Sequence, residues 1–207
     1  MPVEITYLGR NCFRLKGRDG TVLTDPCPPD SGFQLGKQTA DIVVMSRGDD
    51  PGYSYREAVT GEAMILDAPG EYEIGGMLVT GIAQKRNDGA RNVVFVAEID
   101  GIRIGHLGLP TSNQFDELKD VDVLLLPVGG GNAFSPVMAA DVMTKIEPKL
   151  AIPMNYKAGK EPLDLLPLEN FLKETGTKPE AQPKISVSRT GLPADLTVMV
   201  LEPRITG

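Results

Sequence analysis

The chain has 207 residues, of which 41% are hydrophobic, 24% charged and 5% aromatic, so one domain spanning 1–207 with an aliphatic core is expected. A formal charge of −7 without basic runs excludes nucleic-acid partners held through their phosphates. The longest apolar run, residues 123–128, is far shorter than the roughly 20 residues of a membrane helix, and no membrane partner is expected.

The amino-terminal residues 1–4 show no basic segment followed by an apolar stretch, so the expected location is cytoplasmic. Cys12 and Cys27 are too few for a disulfide framework or a zinc knuckle and read as reduced thiols. Residues 4–8, 12–16, 21–24 and 41–45 are β-rich, with Asp19-Gly20 offering the positive φ of a tight hairpin, and predict an antiparallel meander. Residues 63–66, 71–74, 77–82, 92–99 and 102–106 continue the strands, with hairpin turns at Gly75-Gly76 and Asp100-Gly101. Beyond Gly108 short, wholly apolar strands at 121–127 and 150–154 alternate with helical stretches, the pattern of a sheet buried on both faces. Ser135-Pro136 starts the clearest helix, in which Ala139, Val142, Met143 and Ile146 recur at helical spacing. A second helix covers Leu168–Thr175 with Gly176 as its left-handed cap, and strands at 185–188 and 196–201 follow. Covering each amphipathic face gives an α/β fold of sandwich type.

Several landmarks stand in a telling order: Tyr7-Leu8-Gly9-Arg10, Thr24-Asp25-Pro26, Ser46-Arg47-Gly48-Asp49-Asp50-Pro51-Gly52, His106-Leu107-Gly108-Leu109 and Pro153-Met154-Asn155-Tyr156. Together they resemble the metallo-β-lactamase superfamily, in particular its lactonase-like branch of small predicted zinc hydrolases. That resemblance implies a four-layer αβ/βα sandwich with its site at the edge where two sheets meet. It further implies seven metal-ligand positions, filled in the family by histidines and aspartates that hold zinc and lower the pKa of a bound water to about 7. In this chain those positions read Arg47, Asp49, Pro51, Gly52, Arg86, Leu109 and Asn155, and His106 is the sole histidine. Arginine offers only donors and stays cationic, so a family-type zinc pair is not expected, and neither is any other cofactor.

The weak catalytic candidates are Asp25, Asp49 and His106. Asp25 resembles an aspartate that orients a ligating histidine, and here it either receives Arg47 or caps a turn; His106 reads as a strand-end residue bonded to backbone or as a base. Arg47, Asp49, Arg86, Leu109 and Asn155 outline the binding cleft, and Arg10 adds a further cation nearby. Asp49-Asp50 with Asp88 lacks calcium-loop spacing and reads as a solvated acidic loop. Gly129-Gly130-Gly131 lacks the lysine and spacing of a phosphate-binding loop and reads as a tight strand-to-helix connection. Two functions follow as alternatives. One is a non-catalytic binding or scaffold protein, with a small anionic ligand and a homo-oligomer among its expected partners. The other is a hydrolase with a rebuilt zinc-independent site acting on a lactone, ester or phosphodiester.

Overall fold

The computed structural model describes residues 1–118 and 120–205. The first strands are β1 (Val3–Gly9), β2 (Cys12–Lys16), β3 (Thr21–Thr24), β4 (Gln38–Thr39), β5 (Ile42–Val44), β6 (Val59–Thr60) and β7 (Met64–Leu66). A central set follows: β8 (Gly70–Ile74), β9 (Met77–Lys85), β10 (Arg91–Ile99), β11 (Ile102–His106) and β12 (Val123–Pro127). Helix α1 (Pro136–Ile146), β13 (Leu150–Met154), α2 (Leu168–Thr175), β14 (Ile185–Val187) and β15 (Thr197–Val198) complete the order.

Two sheets form the body of the protein. One runs β14-β1-β2-β3-β5-β7 and the other β15-β13-β12-β11-β10-β9-β8, while β4 and β6 make a separate two-stranded ribbon. The two-residue alternation of strand side chains sorts the first sheet into two faces. Ile5, Tyr7, Phe13, Leu15, Val22, Ile42 and Val44 enter the main core between the sheets. Leu8, Cys12, Leu23 and Val43 turn the other way and join Cys27, Phe33, Leu35 and Ala58 in a smaller core. In the second sheet β12 is buried at every position and supplies both the inter-sheet core and the floor beneath α1. The expected two-sheet sandwich is therefore present, although loops and short 3-10 turns cover the first sheet's outer face.

Local chemistry explains the precise ends. Ser135 caps α1 by accepting the Met138 amide at 3.3 Å, and Pro136 fits the first helical position. Gly176 closes α2 at φ 66°, as its lack of a side chain allows. The Asp100-Gly101 turn has φ of 49° and 75° and joins paired Ile99 and Ile102, the primed geometry that matches strand twist.

Three expectations need correction. The start of the chain is only partly a meander: β1, β2 and β3 are antiparallel, but β3 pairs with β5 and β5 with β7 in parallel. The long connection between β3 and β5 allows this by returning the chain in the same direction. The Asp19-Gly20 turn is also wider than a two-residue hairpin, because Gly17 N–H closes it on the Gly20 carbonyl and only Gly20 has positive φ. The strand expected over 196–201 shortens to Thr197–Val198.

Burial and capping here differ in weight. Leu124, fully buried between the inter-sheet core and α1, should lose about 3 to 5 kcal/mol on substitution by alanine. Ser135→Ala should lose about 1 kcal/mol. Urea unfolding of the two variants beside the wild type measures both, and equal losses would contradict this account of the core.

Candidate functional site

The site grows from the ends of β1, β3, β5, β11 and β13, which converge on one edge of the sandwich. At its back lies a sealed polar cluster. Asp25, fully buried, accepts the Ser46 amide at 2.6 Å and the Ser46 hydroxyl at 2.5 Å, with the Asn11 amide group at 3.5 Å. Its carboxyl is raised above the usual carboxylate range, since burial outweighs the nearby His106 imidazole and these hydrogen bonds. His106 Nε2 stands 3.7 Å from Asp25 and 3.0 Å from the Asn11 carbonyl. That carbonyl only accepts, so Nε2 carries the proton, and Nδ1 has no partner among the described residues. Asp25 and His106 thus meet each other, but inside the protein. Arg47 does not reach Asp25, whose acceptors belong to Ser46 and Asn11.

The exposed rim is a separate network. Arg47 Nε lies 3.5 Å from Asp49 and its Nη2 3.7 Å from Asp50, with the Asp49 side chain 63% exposed. Arg86, by contrast, is buried and fully engaged. It grips Asp88 through Nε and Nη2 and donates through Nη1 to the Leu109 and Asn132 carbonyls. Leu109 presents a buried apolar side chain, and its amide binds Asn92 Oδ1 at 2.8 Å. Gly108 must be glycine here: its φ is 64°, and a Cβ would stand 2.4 Å from both Ser46 and Asn92.

Between these networks Arg10 makes a pairing that the sequence did not disclose. Arg10 donates through Nε and Nη2 to Glu161 at 2.9 and 2.7 Å, both side chains being buried, and through Nη1 to the Gly52 carbonyl at 3.1 Å. Its guanidinium sits 5.4 Å from the Tyr53 ring centroid. The Tyr53 hydroxyl receives the Asn132 amide at 3.0 Å and lies 3.3 Å from Asn155 Oδ1, while Asn155 Nδ2 donates to Asn132 Oδ1 at 3.2 Å. Burial pushes the Tyr53 hydroxyl up to about 12, against the opposing pull of Asn132 and Arg10. Tyr53 directly follows the motif loop, so its sequence position was a usable signal. No local pattern ties Glu161 to Arg10, 151 residues away.

Could these residues hold a zinc pair? The donors do not fit. Arg47 and Arg86 bring positive charge, Pro51, Gly52 and Leu109 bring no ligating side chain, and Asn155 is engaged by Tyr53 and Asn132. A Cβ at Gly52 would lie 3.1 Å from Arg10 Nη1, so the guanidinium fills space that a longer side chain at this loop position would need. Among the described residues no three histidine, cysteine or acidic groups gather into a ligand set. Backbone strain concentrates here instead. Arg10, Asp25 and Asn155 have φ of 53°, 34° and 51°, an unusual conformation for residues with a side chain.

The two arginine environments should respond differently to mutation. Glu161→Gln leaves a buried guanidinium without its counter-charge and should cost about 3 to 5 kcal/mol in urea unfolding. Arg47→Ala breaks two longer contacts, at 3.5 and 3.7 Å, to more exposed acids and should cost less than Glu161→Gln. Asp25 also makes stability depend on pH. A carboxyl with a raised folded pKa is more protonated in the native than in the unfolded chain. Its contribution is therefore greatest below the ordinary carboxylate pKa and declines as pH rises through the folded value. Asp25→Asn should accordingly gain stability relative to the wild type as pH rises from below the ordinary carboxylate pKa towards neutrality. Thermal melts across that range check the slope, and a relative loss for the variant would refute the assignment.

This geometry has relatives. A family model described as a beta-lactamase superfamily domain matches residues 4–155. A UPF0173 protein of Pyrococcus furiosus is 27% identical over 176 residues, covering 74% of this chain and 83% of that one. A UPF0173 metal-dependent hydrolase of Natranaerobius thermophilus is 20% identical over 212 residues, covering 87% and 94%. Among solved structures, a Thermotoga maritima protein of the metallo-beta-lactamase superfamily, provisionally described as a Zn-dependent hydrolase, superimposes with a TM-score of 0.79. It shares 30% identity and covers 97% of this chain and 100% of its own. Such relatives overturn the expectation of a non-catalytic binding or scaffold protein, because similar chains over most of their length are named as metal-dependent or Zn-dependent hydrolases. With the model covering most of the chain and the fold shared end to end, the protein belongs to the beta-lactamase superfamily domain family and has the metallo-β-lactamase fold.

Proposed function

We propose that this protein is a hydrolase of that superfamily whose cleft works through its own side chains, without a zinc pair, on a lactone, ester or phosphodiester. The hydrolase names of its relatives support the reaction class. The observation that carries the zinc-independent part is Tyr53, whose hydroxyl is held between Asn132 and Asn155, the latter a family ligand position.

Hydrolysis needs a base near water and donors for the charge that develops on the attacked carbonyl or phosphoryl oxygen. A hydroxyl pushed up to about 12 stays protonated at neutral pH, so Tyr53 acts as a donor or acid rather than a base. The amide of Asn132, less buried than Tyr53, stands beside it as a second donor. Asp49, at the exposed rim, is the carboxylate open to water and takes the base role in this reading. Asp25 and His106 are sealed behind Ser46 and Asn11 and position the loop. Arg47 pairs only with rim carboxylates, so it can exchange them for an anionic substrate group, whereas Arg86 and Arg10 are committed to internal acceptors. A small anionic ligand is the partner this reading favours, and the free, buried thiols of Cys12 and Cys27 agree with a cytoplasmic setting.

The test is a panel of chromogenic esters, γ-lactones and phosphodiesters, assayed with excess chelator and again with added zinc, on protein of measured metal content. Turnover should persist in chelator at substoichiometric metal. Tyr53→Phe should lower it by about 10²-fold or more, the usual effect of removing one oxyanion donor. Activity that chelation abolishes and zinc restores would defeat the zinc-independent site, and inactivity on every substrate class would defeat the hydrolase reading.

A further inference from the structure

On the outer face of the first sheet a cavity of about 760 Å³ opens within the smaller apolar core, sharing no residue with the cleft. That volume lies in the range of small-molecule sites, roughly 300 to 1,000 Å³. Phe33, Leu35 and Ala58 form its wall, all nearly inaccessible, and Cys27 lies at the wall with its sulfur receiving the Ser31 hydroxyl at 3.3 Å. Gly36, at φ 62°, turns the chain at its edge.

The mouth is net basic, with Lys37 and Arg204 against one acid. Lys37 donates to the Glu57 backbone carbonyl at 2.7 Å, a partner without formal charge. Arg204 is pinned across the opening by its own carbonyl, which accepts the Gln34 amide at 2.8 Å, and by the Phe33–Ile205 bridge that follows. Its guanidinium forms no ion pair among the described residues. The one acid lining the mouth, Glu57, accepts the Tyr55 hydroxyl at 3.0 Å and forms no ion pair with either cation among the described residues. Two cations without acidic partners thus border an apolar chamber, an arrangement complementary to a molecule with one anionic end and one hydrocarbon end.

We infer that this cavity is a binding site for an amphipathic monocarboxylate, with the hydrocarbon tail against Phe33, Leu35 and Ala58 and the carboxylate at Arg204 and Lys37. The site is independent of the hydrolytic cleft and does not rest on its chemistry.

Isotope-labelled full-length protein titrated with decanoate, nonanoate, decanol and decylamine tests the assignment through amide shifts. Decanoate should move Phe33, Leu35 and Ala58 and bind about fourfold tighter than nonanoate, as one buried methylene dictates. It should bind about fivefold tighter than decanol, the upper effect of an exposed ion pair, with decylamine weakest. Arg204→Gln, an exposed change that spares the fold, should reduce the margin of acid over alcohol, and Ala58→Phe should block the chamber. Absence of saturable shifts at these residues in the wild type would overturn the proposal. Equal affinity for acid, alcohol and amine, or an acid preference unchanged in Arg204→Gln, would overturn it as well.

Discussion

A buried guanidinium must find an acceptor for nearly every N–H, and Arg10 meets that demand in a way that fixes the whole cleft. Three of its nitrogens reach Glu161 and the Gly52 carbonyl, its face lies over Tyr53, and its own carbonyl accepts both the Tyr7 hydroxyl and the Asn155 amide. One residue therefore joins the end of β1, the loop after β5 and the segment beyond β13. Such a pair adds little net stability against an apolar replacement, because desolvating two charges consumes most of their attraction. Its contribution is geometric: wrong arrangements would strand a charge in the interior. The left-handed backbone at Arg10 and Asn155 is tolerated on the same account, since the bonds around it over-determine the conformation.

The two sheets supply the rigid frame that this requires. Strand ends are held by ladders and by inter-sheet packing, so Asp25, Ser46, His106 and Asn155 arrive from distant parts of the chain with little freedom left. Asn92 extends the frame sideways, holding the Leu107 carbonyl and the Leu109 amide and so setting the path of the chain past β11. Arg86 then locks that path from the other side through the Leu109 carbonyl.

Much of the frame was legible because its signals are local. Gly75-Gly76, Asp100-Gly101, Ser135-Pro136 and Gly176 each dictate backbone conformation within a few residues, and the structure places turns and helix ends there. The parallel pairing of β3 with β5 was not legible, since it depends on where a loop of more than ten residues returns. The site divides along the same line. Arg47, Leu109 and Asn155 could be read as departures from a ligand pattern within single motifs. Glu161 could not be paired with Arg10, nor Asn132 with Tyr53, because sequence separation hides contacts that only tertiary folding creates.

Arginine plays three parts in this cleft, and the partner each one meets separates them, since all three side chains are largely buried. Arg10 is enclosed with a full counter-charge, Arg86 is enclosed largely by carbonyls and one half-exposed carboxylate, and Arg47 stands at the rim among solvated acids. Attraction between charges strengthens as water withdraws and as separation shrinks, so the close pairs of Arg10 and Arg86 are fixed while the longer contacts of Arg47 to more exposed acids are exchangeable. A metal ion would concentrate positive charge at one movable point, whereas these guanidinium and amide groups spread it over donors that folding has already oriented. Preorientation is what makes fixed dipoles useful to a reaction, because they need not reorganise as charge develops. The cost is that each donor committed to the protein's own acceptors reaches a substrate only by exchanging that bond, as Tyr53 must with Asn155, Asn132 with Tyr53 and Arg47 with its rim acids.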